Sequence, residues 1–294
     1  MPFLFVSFTF ILGILVGSFL NVVVLRYGAG AMSGRSRCLS CGKTLRWYEL
    51  VPLASFFLQR GRCRGCRSSL SWQYPAVELI TGFVFALVFW KEFGLPFFEL
   101  QTSSFLSFSS SYSVIQLLVI GCELLLWSLL IVLSVYDLRH KIIPDALAYS
   151  AALVSLLLFL YSYFILHTSY FVDIWSGFLF AAPFALMWFF SRGRAMGLGD
   201  AKLTVFFPWL LGVAKGLSAL IIGFWLGATV SVAALTLKAV VSRFPRRFFP
   251  TLRTRLRTLS LKTELPLGPF LVLGLFLVYV FGWDITGLGM LLSQ

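Results

Sequence analysis

Eight apolar runs divide this chain of 294 residues, and they constrain its fold more than any other feature. Hydrophobic residues make up 59% of the sequence and charged residues only 12%, well below the roughly 25% charged residues of a soluble domain. A membrane-spanning helix needs about 20 predominantly apolar residues, a length that most runs approach or exceed. The sequence therefore predicts an all-α, polytopic integral membrane helical bundle with about eight transmembrane helices. The runs cover residues 3–25, 76–90, 114–136, 146–167, 173–191, 203–214, 216–241 and 266–283.

Basic residues are distributed unevenly between the runs. Of the 24 lysines and arginines, 22 lie in four alternate segments, and the net charge is +13. Because cytoplasmic loops carry an excess of Lys and Arg, we expect these segments in the cytoplasm and both termini outside. Residues 1–25 have no basic n-region and no small-residue cleavage motif, which favours a retained first transmembrane helix over a cleaved signal peptide. The four basic segments are 26–75, 137–145, 192–202 and 238–265.

The first basic segment contains two Cys-x-x-Cys pairs separated by 21 residues. Four thiolates in this pattern fit a tetrahedral structural zinc site, which leaves no open position for a substrate. Disulfides are one alternative, but the cytoplasm keeps thiols reduced. A zinc ribbon that binds nucleic acid is another, but cytoplasmic loops of membrane proteins are basic in any case. We therefore predict a zinc knuckle and no nucleic-acid partner, with Cys38, Cys41, Cys63 and Cys66 as the metal ligands.

Two aspartates lie where basic segments meet apolar runs. Asp137 follows the third run, and Asp200 precedes the sixth. A carboxylate at a membrane boundary is costly, which makes it a candidate for function. Two carboxyl groups in contact can share one proton, and this is the chemistry of an aspartic protease. We predict that these two residues form such a pair, and that Gly197 and Gly199 allow extended or positive-φ backbone and the close approach of a peptide.

Residues around this predicted pair have simpler interpretations. Pro144 fixes the start of the fourth predicted helix, and Asp145 in its first turn is favoured by the helix dipole, with direct catalysis as the alternative. Lys202 lies two positions beyond Asp200 and does not share its helix face. We interpret Lys202 as a lipid headgroup contact. Asp200 also fits the N-cap of its helix, a role that is compatible with catalysis.

Two glutamates lie within or beside the apolar runs. Glu78, near the start of the second helix, fits either dipole stabilisation or a role in the site. Glu123 lies 14 residues before Asp137, which places it on the same helix face about 21 Å along the axis. That depth favours a protonated structural carboxyl.

Two loop segments complete the chain. Residues 242–265 are basic and proline-interrupted, and Leu252, Leu256 and Leu259 recur at helical spacing between arginines. This pattern is typical of a helix lying on an anionic membrane surface, so we expect anionic lipids as partners. The external loop 91–113 is rich in Phe and Ser and carries no recognisable chemistry.

Taken together, these motifs resemble those of the bacterial prepilin peptidases, the GxGD-type aspartic leader peptidases of type IV pilus and type II secretion systems. The GxGD element alone is shared with presenilin-like proteases, but the ordered set is specific, and it covers nearly the whole chain. The matching stretches are Gly17 to Arg26, the two Cys-x-x-Cys pairs, Tyr74 to Glu78, Asp137 to Asp145, Gly197 to Leu203 and Leu265 to Phe270.

The resemblance implies an activity and a location. Members cut the basic leader from prepilin-like proteins on the cytoplasmic side of the bacterial inner membrane, just after a glycine. Many then N-methylate the new terminus with S-adenosylmethionine. On matching positions, Asp137 and Asp200 are the catalytic pair, and the four cysteines belong to a loop associated with methylation. Methylation is implied by the resemblance alone.

These observations give a domain division and two hypotheses for function. We expect a first transmembrane helix at 1–25, a cytoplasmic tetracysteine loop at 26–75 and a membrane-embedded aspartic peptidase domain at 76–294. The main hypothesis is a leader peptidase that acts on type IV prepilins or pseudopilins and also methylates them. The alternative is a zinc-containing membrane transport or interaction protein without protease activity.

Overall fold

The computed structural model describes residues 2–27, 34–94, 110–166, 172–194, 197–243 and 266–287. Most of the basic segment 242–265 and most of the external loop 91–113 lie outside the described residues. Across the described ranges the chain forms α-helices and no β-strand, which confirms the all-α prediction. The helices are α1 (Pro2–Arg26), α2 (Ala54–Leu58), α3 (Gln73–Phe89), α4 (Ser110–His140), α5 (Asp145–Tyr161), α6 (Val172–Ser191), α7 (Leu198–Thr204), α8 (Phe206–Leu211), α9 (Val213–Arg243) and α10 (Gly268–Phe281).

The eight apolar runs all coincide with helices. Among the described residues, six helices are long and apolar enough to cross a membrane, and α10 is a shorter apolar helix. The sixth predicted helix differs from a simple span, because the run at 203–214 is divided between α7 and α8. The division falls at Val205, and Gly212 with φ of 78° then separates α8 from α9. The helical bundle is confirmed, with two short helices where one was expected.

By its internal contacts the chain forms two compact units, Met1–Val132 and Leu133–Gln294. In the first unit, α1 and α3 pack with their backbones almost touching. A Cβ atom added to Gly13 would lie 2.7 Å from the Thr81 carbonyl oxygen, and one added to Gly17 would lie 2.8 Å from the Glu78 Cα. Small residues at such contacts let membrane helices approach closely. The spacing of Gly13 and Gly17, one helical turn apart, is therefore what brings α1 against α3.

Polar contacts at the ends of α1 and α3 tie the intervening segment to this helix pair. The Asn21 side chain donates a hydrogen bond of 3.1 Å to the Tyr74 carbonyl oxygen. The buried Glu78 carboxylate accepts a hydrogen bond of 2.7 Å from the Leu53 N–H, at a residue with φ of 56°. Glu78 lies beyond the first turn of α3, and its carboxylate holds the backbone before α2 against α3.

In the second unit, the short helix α7 lies among α5, α6 and α10. Its neighbour α8 is fixed to α6 by a hydrogen bond of 3.0 Å from Trp209 Nε1 to the Ile174 carbonyl oxygen. Helices α9 and α10 pack closely, because a Cβ on Gly223 would lie 2.9 Å from the Leu271 Cα. The helix α7, which carries Asp200, contacts the start of α10, where a Cβ on Gly268 would lie 3.3 Å from Leu203 Cδ1.

Candidate active site

Asp137 lies in the last turn of α4, and its side chain is buried, with 6% of the residue exposed. Its Oδ2 accepts a hydrogen bond of 3.1 Å from the Gly268 N–H, at the first residue of α10. The helix ends directly beyond it, where the Lys141 N–H donates to the Asp137 carbonyl oxygen and Lys141 has φ of 55°. The N–H groups at the amino end of a helix point at a nearby acceptor, so the start of α10 orients this carboxyl group.

Gly268 has no room for a side chain. An added Cβ would lie 2.7 Å from Asp137 Oδ2 and 3.3 Å from Leu203 Cδ1 in α7. Gly268 therefore lets Asp137, α7 and the start of α10 meet at one point. Sequence reasoning found this glycine only as part of the stretch from Leu265 to Phe270 and missed its role, because a backbone donor has no side-chain signature. The available signal was a glycine directly before a proline at a helix start.

Asp200 lies in the first turn of α7 and is half-buried. The N-cap of this helix is Gly197, with extended geometry at φ of −75° and ψ of 145°, so the alternative interpretation of Asp200 as the N-cap is wrong. Gly199 lies within the helix, where an added Cβ would meet the Ile143 side chain at 2.9 Å. Gly197 thus has extended geometry, as anticipated, while Gly199 permits close packing against Ile143.

The two aspartates interact electrostatically. Burial of Asp200, followed by the negative charge of Asp137, raises the pKa of the Asp200 carboxyl from 3.8 to about 7. Buried carboxyl groups that repel each other cannot both ionise readily, and they hold one proton between them near neutral pH. An ionised carboxyl beside a protonated one provides a general base and a general acid. The structure therefore brings together the two residues that the sequence analysis paired.

Lys202 and Asp145 form an ion pair of 2.5 Å between Nζ and Oδ1. The Lys202 Nζ also lies 5.4 Å from the centre of the Tyr149 ring. The interpretation of Lys202 as a lipid headgroup contact is therefore wrong, since its ammonium group binds α5 instead. Pro144 is the N-cap of α5, and Asp145 occupies the first turn, where the helix dipole was expected to favour it.

The four cysteines form a separate cluster in the first unit. Their sulfur atoms all lie within 4.8 Å of one another, and the Cys38 and Cys66 sulfurs are 3.9 Å apart. Zinc–sulfur bonds of about 2.3 Å in a tetrahedron place sulfurs about 3.8 Å apart. The cluster therefore fits a four-coordinate metal ion, with Cys38 and Cys63 buried and Cys41 and Cys66 exposed.

Two similar turns build this cluster. In the first, Gly42 has φ of 71° and its N–H donates to the Cys38 carbonyl oxygen. In the second, Arg67 takes the equivalent place with φ of 59°, and its N–H donates to the Cys63 carbonyl oxygen. Gly65 lies close to the same cluster, where an added Cβ would lie 3.7 Å from Cys41 Sγ and 3.2 Å from Lys43 Cδ.

The thiols of the cluster influence each other's ionisation. N–H groups of Cys41 and Ser40 lower the pKa of Cys38 to about 6. The Lys43 N–H also lowers the pKa of Cys41. Hydrogen bonds with Cys38 and Cys66 outweigh this effect and raise the pKa of Cys41 to about 11. Four adjacent thiolates repel each other, so a bound cation is what would allow all four to ionise.

Two further acids are buried in the first unit. Glu123 is buried within α4, and its role as a structural carboxyl stays a prediction. Glu49, which sequence reasoning did not single out, accepts a hydrogen bond of 2.9 Å from the Arg46 N–H and pairs with Lys43 at 3.1 Å. The Arg46 N–H, with the Lys43 ammonium, lowers the pKa of Glu49. Glu49 thus stabilises the segment between the cysteine pairs.

Two family models match the chain. Residues 11–92 match the bacterial peptidase A24 N-terminal domain, and residues 124–232 match the type IV leader peptidase family. The first match includes the four cysteines, and the second includes both Asp137 and Asp200.

Curated relatives share a printed name, prepilin leader peptidase/N-methyltransferase. A relative from Myxococcus xanthus is 36% identical, over 71% of this chain and 59% of the relative. A relative from Stutzerimonas stutzeri is 28% identical, over 97% of this chain and 93% of the relative. A relative from Bacillus subtilis is also 28% identical, over 84% of this chain and 90% of the relative. No solved structure matches the chain. The chain belongs to the type IV leader peptidase family.

Proposed function

We propose that this protein is a membrane aspartic endopeptidase that removes the leader from prepilin-like proteins and N-methylates the new amino terminus. The observation that carries the peptidase proposal is the pair of Asp137 and Asp200, in which burial and the charge of Asp137 raise the pKa of Asp200 to about 7. The name of the curated relatives supports the same activity. It favours this function over the transport or interaction protein considered from the sequence.

The proposed reaction uses the pair as base and acid. The ionised carboxyl takes a proton from a water molecule as the water oxygen attacks the scissile carbonyl carbon, and the protonated carboxyl donates its proton to the carbonyl oxygen. The C–N bond of the tetrahedral species then breaks as one of its hydroxyl groups gives a proton to the ionised carboxyl and re-forms the carbonyl. The leaving amine takes the proton of the protonated carboxyl, so the pair again holds one proton. The shared proton belongs to the pair as a whole. The Gly268 N–H keeps the Asp137 carboxylate oriented throughout.

The substrate class follows from the relatives and from the position of the pair. A prepilin or pseudopilin precursor has a basic leader followed by an apolar helix, which would lie in the membrane with the cleavage point at its surface. Asp137 lies in the last turn of a membrane-length helix, which supports a carboxyl near the membrane surface, where this substrate would be cut. In this proposal Asp137 and Asp200 are catalytic, and Gly197, Gly199, Pro144, Asp145 and Lys202 support them.

The tetracysteine loop would hold a structural zinc ion. Cys38, Cys41, Cys63 and Cys66 supply four ligands, which complete a tetrahedron and leave no position for an activated water. Its contribution would be to fold the loop at 26–75. N-methylation requires a methyl donor, which we propose is S-adenosylmethionine, and the loop is our candidate for this activity.

The proposed location is the bacterial inner membrane, with the pair at the cytoplasmic face and both termini outside. The basic segments 26–75 and 242–265 would contact anionic lipids, because negative headgroups attract juxtamembrane Lys and Arg. We expect no nucleic-acid partner. The division into a first transmembrane helix at 1–25, a cytoplasmic loop and a peptidase domain at 76–294 stays part of this proposal.

Cleavage of a prepilin-like peptide by the purified protein in detergent tests the proposal. Asp137→Asn and Asp200→Asn should each abolish cleavage while folding and membrane insertion are retained. Asp284→Asn is the matched control, because Asp284 lies beyond the other end of α10 and its Oδ1 acceptor is preserved in asparagine. Near-normal cleavage by either of the first two variants would eliminate the mechanism. A mass gain of one methyl group on the product tests methylation separately.

A further inference from the structure

The helix that carries Asp200 is fixed to α5 by a lysine. The Lys202 ammonium lies 2.5 Å from Asp145 Oδ1 and 5.4 Å from the centre of the Tyr149 ring. Asp145 and Tyr149 are four residues apart and share one face of α5. The Lys202 side chain is 20% exposed and that of Asp145 is 66% exposed.

A second contact lies on the other side of Asp200 in the sequence. Gly199 packs against the Ile143 side chain so closely that an added Cβ would lie 2.9 Å away. Residues 199 and 202 are thus both attached to the segment 143–149, and Asp200 lies between the two attachments. Neither contact involves the reacting carboxyl groups.

The same segment is tied to the other aspartate. Only seven residues separate Asp137 from Asp145, and the chain between them is fixed by the Lys141 N–H bond to the Asp137 carbonyl oxygen and by the N-cap at Pro144. A displacement of α7 along α5 would therefore change the distance between Asp200 and Asp137. The distance between the two aspartates is therefore constrained by two short chain segments, Asp137 to Asp145 and Asp200 to Lys202.

We propose that the ion pair between Lys202 and Asp145 positions Asp200 against Asp137 for catalysis. This inference rests on the proposed peptidase function and assigns Lys202 and Asp145 as positioning residues. Because Asp145 is 66% exposed, the pair contributes little to overall stability. A misplacement of about 1 Å in a catalytic group, in contrast, costs about 10²-fold in rate. The pair should therefore influence turnover far more than folding.

Variants of the pair test this assignment in the full-length protein in detergent. Lys202→Met and Asp145→Asn should each lower kcat for cleavage of a prepilin-like peptide by about 10- to 100-fold. KM should stay within about threefold and the thermal unfolding midpoint within a few degrees. The double variant should lose no more than the worse single variant, since both substitutions break one contact. Lys202→Arg, which keeps the charge, should retain most of the activity.

Lys215→Met is the control, because Lys215 is an exposed lysine in α9, and it should leave kcat unchanged. The inference is overturned if wild type cleaves while both single variants keep kcat within about threefold of it. It is also overturned if the losses multiply in the double variant, or if kcat falls only in step with the folded fraction. An inactive wild-type protein would instead refute the proposed function, and this inference with it.

Discussion

Replacing Asp200 by asparagine should abolish cleavage and, at neutral and alkaline pH, make the protein more stable. Burial, together with the charge of Asp137, raises the pKa of Asp200 from 3.8 to about 7. The folded state therefore holds a proton on this group more tightly than the unfolded chain does. Asparagine occupies nearly the same volume and never ionises, so it removes the cost of a buried negative charge.

The size and sign of the effect follow from the two pKa values. Below about pH 4 both the folded and the unfolded state bind the proton, so ionisation of Asp200 does not lower the free energy of unfolding of wild type relative to the variant. Between about pH 4 and 7 the unfolded chain loses the proton while the folded protein keeps it, so wild-type stability falls by about 1.36 kcal/mol per pH unit. Above pH 7 both states are ionised and the difference is constant. Over about three pH units, the free energy of unfolding of Asp200→Asn comes to exceed that of wild type by about 4 kcal/mol.

Thermal unfolding of the purified proteins in one detergent, from pH 4.5 to 8.5, measures this difference. The gap between the midpoints of Asp200→Asn and wild type should open as the pH rises and level off above about pH 7. Gly121→Ala, which changes no titratable group and adds a Cβ with no atom within 4 Å, serves as the comparison and should show no such trend with pH. A gap that stays constant across the whole range would refute the burial and charge coupling assigned to Asp200.

Three further outcomes are expected. Wild-type cleavage should fall about tenfold per pH unit above about pH 7, as the shared proton leaves the pair, and an unchanged rate at pH 9 would contradict this. Gly268→Ala should lower kcat by about 100-fold, because its Cβ would lie 2.7 Å from Asp137 Oδ2; Gly121→Ala, with no atom within 4 Å, is its control. The double variant Cys38→Ser, Cys63→Ser should lose one equivalent of zinc, as measured by metal analysis. The control Cys122→Ser should keep its zinc. A full equivalent of zinc in the double variant would refute the four-thiolate site.

The sequence predicted the helices well, because apolar length is a local property. It did not predict the division of the run at 203–214, since composition shows that a segment avoids water but not where its hydrogen-bond ladder is interrupted. That division matters, because it leaves Asp200 on a seven-residue helix that depends on neighbours for its position.

The contacts that hold the candidate site were harder to predict than its aspartates. Costly acids at membrane boundaries stand out in a sequence, as do cysteine spacings. Lys202 was misinterpreted because its partner Asp145 is 57 residues away, and only the packing of α7 on α5 brings them together. The Gly268 contact was missed because a backbone N–H is present at every residue except proline.

The close approach of α1 and α3 has a thermodynamic consequence for zinc. The segment between these helices starts and ends on a pair that packs closely at Gly13 and Gly17, so helix packing holds its two ends near each other. The chain entropy lost on closing this loop is therefore a cost of packing the two helices and not of binding the metal. An isolated peptide with the same four cysteines would have to lose that freedom itself, and should bind zinc more weakly than the intact chain.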